Sequence, residues 1–210
     1  MAGRDHRRVL VEQLEIARSR GLLGPGPVEA HLAHGEAMAT AIEADFDGRL
    51  LDLGSGAGVP GLILLTGWPS AAGVLLDARH RRCRFLEAAL RELDLLDRAS
   101  VACGRAEELA RDPSFRGRFE LVVARGFGRP ATTAECAVGF LAPGGRLVVS
   151  EPPGEPRRDR WPEEGLAELG LRGPEERTGG GAGVAVLAAT GPVAPRWPRR
   201  AGVPGRRPLW

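Results

Sequence analysis

Apolar positions recur along this chain with two different periods, and the change between them marks its organisation. From Asp5 to about Arg20, Val9, Leu10, Leu14 and Ile16 return at helical spacing among charges, which predicts an amphipathic helix. The Gly-Pro-Gly-Pro run at Gly24 to Pro27 breaks it, a second helical segment is predicted over Val28 to Ala44, and Asp47-Gly48 is a turn signal. Beyond that turn the pattern changes to short apolar runs that read as buried strands. They fall at Leu50 to Leu53, Gly73 to Leu76, Ser100 to Cys103, Glu120 to Ala124, Arg146 to Ser150 and Val184 to Ala189. Helical stretches separate most of them. The clearest runs from Arg81 to Leu95, with Phe85, Leu86, Ala89, Leu90 and Leu93 on one face and charges on the other. Ala142-Pro143-Gly144-Gly145 reads as a tight turn into the Arg146 strand, and Gly179 to Gly183 as a flexible loop or a wide hairpin turn. Residues 151–183 otherwise mix Pro, Gly and charge without a clear period.

Alternating strands and helices imply an α/β fold of Rossmann-like type, a mostly parallel sheet with helices on both faces. The expected division is a helical N-terminal extension over 1–46, one α/β domain over 47–192 and a basic C-terminal tail over 193–210. At 210 residues and 43% hydrophobic, the chain is long enough for one good core.

Charge and cysteine content exclude several chemistries. The net charge is only +2, and all 29 basic residues are Arg. With no Lys, a Schiff base or lysine general base is ruled out. Cys83, Cys103 and Cys136 are odd in number and far apart in sequence, which predicts reduced thiols in a cytoplasmic protein rather than a disulfide framework or zinc cluster. His31, His34 and His80 have no metal-ligand spacing and read as surface or packing residues, so no metal is expected. No apolar run approaches a membrane span and no signal-peptide pattern opens the chain.

The stretch LLDLGSGAGVPG, Leu50 to Gly61, carries the candidate chemistry. A strand ending at Leu53 runs into Gly54, Ser55, Gly56, Gly58 and Val59; glycine allows a ligand close to the backbone, and helix-start amides can donate to polar ligand groups. Such turns also serve merely to connect elements. Asp77 closes the second strand roughly twenty residues on, where a carboxylate can accept from ribose hydroxyls, or cap the following helix, or both. Val59 stands where a dinucleotide fingerprint would place its third glycine, so a nicotinamide cofactor is disfavoured.

With Asp52 two residues before the first glycine, the loop resembles motif I of class I S-adenosylmethionine-dependent methyltransferases, in which the acid acts near the cofactor's methionine ammonium. GSGAGVPG, LLDARHRRCRFLEAALRELDL, the Arg105-Ala106-Glu107-Glu108 run, VVARGFG and the ending RRAGVPGRRPLW together resemble the bacterial small-subunit ribosomal RNA guanine-N7 methyltransferases, the glucose-inhibited division protein B family. The likeness covers most of residues 28–150 and the last fifteen. It implies S-adenosylmethionine as cofactor, with Gly54 and Val59 on its methionine side and Ala106 and Glu107 beside its adenine. Arg125 would face both cofactor and methyl-transfer cleft as the catalytic candidate, and small-subunit rRNA would be the partner.

Two stretches depart from that family. His34 and Gly35 stand where it usually has Asp-Ser, and Ser150-Glu151-Pro152-Pro153-Gly154 stands where it usually has Lys-Gly. An acid at Glu151, on the substrate side, repels phosphate. Phe127 could stack on a flat substrate or pack in the core. Arg79, Arg81, Arg82 and Arg84 read as a solvated face. The tail concentrates Arg196, Arg199, Arg200, Arg206 and Arg207 with Trp197 and Trp210, which reads as an element for RNA phosphates and stacking or as a disordered basic tail. Guanine N7 carries a free lone pair and needs no base, and no Pro-Pro-aromatic or Pro-Cys signature points to amine or cytosine-C5 chemistry. A small-molecule acceptor and a non-catalytic cofactor-binding protein remain as alternatives.

Overall fold

A computed structural model describes residues 5–43, 45–152, 154 and 158–210. Ala44, the expected end of the second helix, and Pro153, in the stretch after the fifth strand, lie outside the described residues.

The N-terminal apolar stripe forms α1 (His6–Ser19), which buries Val9, Leu10, Gln13, Leu14 and Ala17; Asp5 caps it by accepting from the Arg8 amide. Next comes α2 (Val28–Ile42), and then β1 (Arg49–Leu53), α3 (Gly61–Gly67), β2 (Ala72–Asp77), α4 (His80–Glu92) and β3 (Ala99–Cys103). The chain continues through α5 (Ala106–Leu109), β4 (Phe119–Ala124), α6 (Pro130–Val138) and β5 (Leu141–Ser150). A short 3-10 turn (Arg158–Arg160), α7 (Glu163–Glu168), β6 (Leu171–Gly179), β7 (Ala182–Ala189) and α8 (Val203–Arg206) complete it.

The strands make one seven-stranded sheet in the order β3-β2-β1-β4-β5-β7-β6. β1 to β5 are parallel, while β7 runs antiparallel to β5 and β6 antiparallel to β7. Side chains alternate between its two faces as the pleat requires. Leu50, Leu75, Leu121, Val123, Val148, Val184 and Val186 pack under α1 to α4, whereas Leu51, Leu53, Leu76, Val122, Ala124, Leu147 and Leu187 pack with α5 to α7 and the C-terminal segment. Each fully buried Leu or Val contributes about 1.5–3 kcal/mol of transfer free energy. Burial on both faces is why the parallel strands read as continuous apolar runs.

Three expectations need correction. The β5 strand begins at Leu141, because the Ala142–Gly145 turn is absorbed as an irregularity in its pairing with β4. In the 151–183 region lies β6, an edge strand whose exposed charges and Gly173-Pro174 bulge hide it from an apolar search. It pairs with β7 through Gly180 and Gly181, so the glycine run is a hairpin turn. Finally, Cys83 of α4 and Cys103 of β3 are paired as a disulfide with Cα atoms 5.8 Å apart, while Cys136 is free and buried. Sequence distance misled here because the β2–α4–β3 crossover returns the chain to its starting point. Among the described residues no helix is long and apolar enough to cross a membrane.

Candidate active site

The strand order reverses at β1 and β4, and at such a switch point the loops leaving the carboxyl ends part to form a crevice. Sequence-selected residues from five strands gather there: the glycine loop after β1, Asp77 ending β2, Arg105 to Glu107 after β3, Arg125 to Phe127 after β4, and Glu151 after β5.

The loop turns through Gly54, Gly56 and Gly58 at φ of 74°, 58° and 87°, a region closed to most side chains. Ser55 is buried and spent on the loop itself: its amide donates to Leu76 O at 2.8 Å and its hydroxyl to Asp52 O at 3.0 Å. Asp77 faces the bend. Its Oδ2 accepts from the Gly56 amide at 3.0 Å and from Arg82 Nη1 at 3.2 Å, while Oδ1 accepts from the Arg79 amide at 2.9 Å. Arg82 therefore belongs to the site and not to a solvated face, a correction with a simple cause. The first turn of α4 starts three residues after Asp77 and aims that arginine back over the carboxylate.

Asp52 is placed differently from the family-based expectation. It is 1% exposed and lines none of the cavities described below; Oδ2 accepts from the Gly61 amide at 3.0 Å, bracing the start of α3 from beneath the loop. A Cβ at Gly61 would stand 2.5 Å from that oxygen, so the brace requires glycine. Burial pushes the Asp52 carboxyl up to about 7, against the hydrogen bonds that favour its charge.

Two cavities flank the bend. One, of about 350 Å³, is lined by Gly54, Asp77, Ala106, Glu107, Phe127 and Gly205 among others. The second, of about 430 Å³, is lined by Gly54 to Ala57, Val59, Arg125 and Gly126 and roofed by Leu22 to Pro25 and His31. A third, of about 310 Å³, lies among His34, Phe127, Ser150, Glu151 and Arg160. Gly126 touches all three. Its φ is +64°, and a Cβ built there meets nothing within 4 Å, so the absence of a side chain leaves the junction open.

Arg125 Nη2 donates to His31 Nδ1 at 3.0 Å. His31 Nε2 lies 3.2 Å from Gly24 O and 3.1 Å from Pro25 O, so a single tautomer, protonated at Nε2, satisfies every one of these partners. The sequence reads His31 as a surface or packing residue; its partner lies 94 positions away and leaves no local signal. Burial lowers the Arg125 pKa, opposed by the Asp52 charge. His34 is also lowered, by burial first and then by the charge of Arg125, and its Nε2 meets Ser150 Oγ at 2.9 Å. Phe127 is half-buried, lying across Gly54 so that a Cβ there would come within 2.6 Å of its ring. It is thus both core residue and cavity wall.

Glu107 is buried, and its Oε1 accepts from Arg105 Nη2 and from the Gly202 amide, both at 2.8 Å. Burial alone pushes this carboxyl up, but those two donors and the Arg105 charge hold it below the usual range. Glu151 Oε1 accepts from Trp161 Nε1 at 2.9 Å, and Oε2 forms an ion pair with Arg160 Nε at 2.6 Å. The acid is therefore matched by a cation 9 positions on, a compensation the sequence reading missed.

The C-terminal segment corrects the picture of a loose tail. Trp197 is 4% exposed and donates from Nε1 to Glu168 O, Trp210 donates to Arg160 O, and Arg199 grips the fully buried Glu135 at 2.8 and 2.5 Å. Arg116 and Arg111 donate to its carbonyls. Trp197 is thus not free to stack on bases, and Trp210 packs half-buried against the core. Arg196, Arg200, Arg206 and Arg207 stay exposed.

A bend closed to side chains, flanked by cavities and faced by a carboxylate, fits a nucleoside cofactor. Comparison with known proteins agrees with that fit. The family model GidB, rRNA small subunit methyltransferase G, matches residues 28–152. Proteins named ribosomal RNA small subunit methyltransferase G are similar: that of Symbiobacterium thermophilum is 33% identical over 77% of this chain and 70% of its own. That of Moorella thermoacetica is 31% identical over 85% and 77%, and that of Thermotoga neapolitana 35% over 77% and 72%. Among solved structures, an O-methyltransferase from Bacillus cereus in complex with SAH superposes with a TM-score of 0.60 at 17% identity, covering 90% of this chain and 93% of that one. A SAM-dependent methyltransferase from Aquifex aeolicus gives 0.56 at 16% identity, over 78% and 93%. The chain belongs to the GidB family and is an S-adenosylmethionine-dependent methyltransferase of Rossmann-like fold.

Proposed function

We propose that this enzyme methylates N7 of a guanine in small-subunit ribosomal RNA. The family match names the RNA, and the observation that carries the reading is the meeting of three cavities at Gly126, two along the glycine bend and one beyond it. In this reading the bend at Gly54, Ser55, Gly56, Gly58 and Val59 holds the cofactor, Asp77 takes its ribose hydroxyls, Ala106 and Glu107 border its adenine, and Asp52 keeps the loop in shape. S-adenosylmethionine, when bound, supplies an electrophilic methyl group on a sulfonium centre. Arg125, held by His31, fixes the lip between cofactor and acceptor, and Phe127 gives the acceptor a flat wall. Guanine N7 has an in-plane lone pair and no proton to lose, so the residues need only orient the acceptor. Orientation can supply about 7–11 kcal/mol of a barrier. Arg200, Arg206 and Arg207 meet phosphates from the exposed C-terminal face.

The division into 1–46, 47–192 and 193–210 then acquires roles: the first part roofs the cofactor cavity, the second carries it, and the third faces the RNA. A ribosomal substrate places the enzyme in the cytoplasm. A small-molecule acceptor is the second reading, favoured by the carboxylate of Glu151 in the third cavity. Methyl-labelled cofactor incubated with unmodified small subunits separates the two: label in rRNA, declining as salt rises, supports the RNA, whereas salt-insensitive transfer only to metabolites supports the small molecule.

A further inference from the structure

We infer that Glu151 reads the Watson–Crick edge of the acceptor guanine, a role that rests on the function proposed above. Glu151 lines the third cavity together with Gly126 and Phe127, the two residues that border the cofactor side. Its carboxylate is held in place, because Trp161 Nε1 donates to one oxygen and the Arg160 guanidinium, on the same cavity wall, pairs with the other. Each oxygen of a carboxylate has two acceptor positions, so one on each is left over. The side chain retains 18% exposure, enough to present them to the cavity.

Base chemistry selects what those positions can take. Guanine carries N7 and O6 on its major-groove edge. On the edge away from N7 it carries the N1 and N2 donors side by side. Adenine and cytosine offer there a ring-nitrogen acceptor beside an amine, and uracil a lone N–H between carbonyls. Only guanine matches a carboxylate with two adjacent donors while its N7 points elsewhere. The remaining acceptor positions of the carboxylate complement a base that has been turned out of its stack and is read by its Watson–Crick edge. His34, bonded to Ser150 on the same cavity, helps define its width.

The test substitutes the mapped acceptor guanine by inosine, which keeps N7 and N1–H and lacks only the N2 amine. Label transfer is then followed with wild type and with Glu151→Gln. With wild type, kcat/KM on inosine is expected to fall by about tenfold, the loss of one charge-assisted hydrogen bond. Glu151→Gln replaces one acceptor by a donor; it is expected to lower kcat/KM on guanine by about 10–100-fold and to erase most of the guanine-over-inosine preference. Equal wild-type rates on guanine and inosine would overturn the inference, and that arm needs no variant to fold. An undiminished preference in Glu151→Gln, with both rates lowered alike, would also overturn it, since that is the outcome of a merely structural anchor for Trp161 and Arg160. Absence of label on guanine with wild type would instead remove the proposed function itself.

Discussion

Asp52 and Asp77 hold the glycine loop at different amides and have different consequences. Asp77 aims its carboxylate at the bend through Gly56, so Asp77→Ala is expected to weaken S-adenosylhomocysteine binding by about 1–3 kcal/mol, the range for lost hydrogen bonds to a charged group. Calorimetry checks this, and an unchanged Kd would take the ribose role from Asp77. Asp52 is a matter of stability. Its carboxyl stands near 7 when folded and at 3.8 by its ordinary value, so between those pH values the native state binds the extra proton. Stability from this group is present below about pH 4, is lost as pH rises through 7, and is flat above it. Asn at this position can still accept from the Gly61 amide and has no charge to bury. Urea unfolding of Asp52→Asn is therefore expected to gain on wild type by about 2–4 kcal/mol between pH 4 and pH 8. A difference that stays constant with pH would contradict the assignment.

Elements differed in how plainly they could be read. Strands β1, β2, β4 and β7 are buried on both faces, and an apolar run bounded by turns is their direct signature. Edge strand β6 is built from charge, Gly and Pro because its outer rim must resist pairing, and that composition erases the period. The candidate loop was legible because three positive-φ positions need glycine, which marks the sequence. His31, Arg82 and Arg160 were not legible as site residues, since each acquires its partner only through the tertiary fold. The C-terminal segment was misread for a related reason: its anchors are arginine side chains donating to backbone carbonyls, Trp197 sunk in the core and Trp210 packed half-buried against it, none of which has a period. Trp197→Ala should accordingly destabilise the protein by about 3–5 kcal/mol. It should also weaken S-adenosylhomocysteine binding, because Gly202 holds Glu107 and Gly205 lines the cavity proposed for the cofactor. Thermal unfolding with and without that ligand reads both effects, and a near-neutral change would restore the picture of a loose tail.

Over the whole molecule charge is nearly balanced at +2, so RNA must be attracted by local concentration and not by net charge. The exposed Arg200, Arg206 and Arg207 form such a concentration beside the cavity proposed for the cofactor, which Gly205 links to them. Replacing all three by Ala is expected to weaken binding to small-subunit RNA and to reduce the salt slope by about one for each phosphate no longer neutralised, with S-adenosylhomocysteine affinity unchanged. Filter binding across a salt series measures it, and an unaltered slope would move the RNA to another face. The sheet sets the scale of the device. Its switch point opens the crevice, the loop Leu22 to Pro25 and His31 of α2 roof one side, and the C-terminal segment walls the other. The most direct measurement is transfer of labelled methyl from S-adenosylmethionine to small subunits prepared without prior methylation, followed by nucleoside analysis of the rRNA. The expected result is a single N7-methylguanosine. Label on any other atom, or tight S-adenosylhomocysteine binding with no label in the RNA at low salt, would contradict the account.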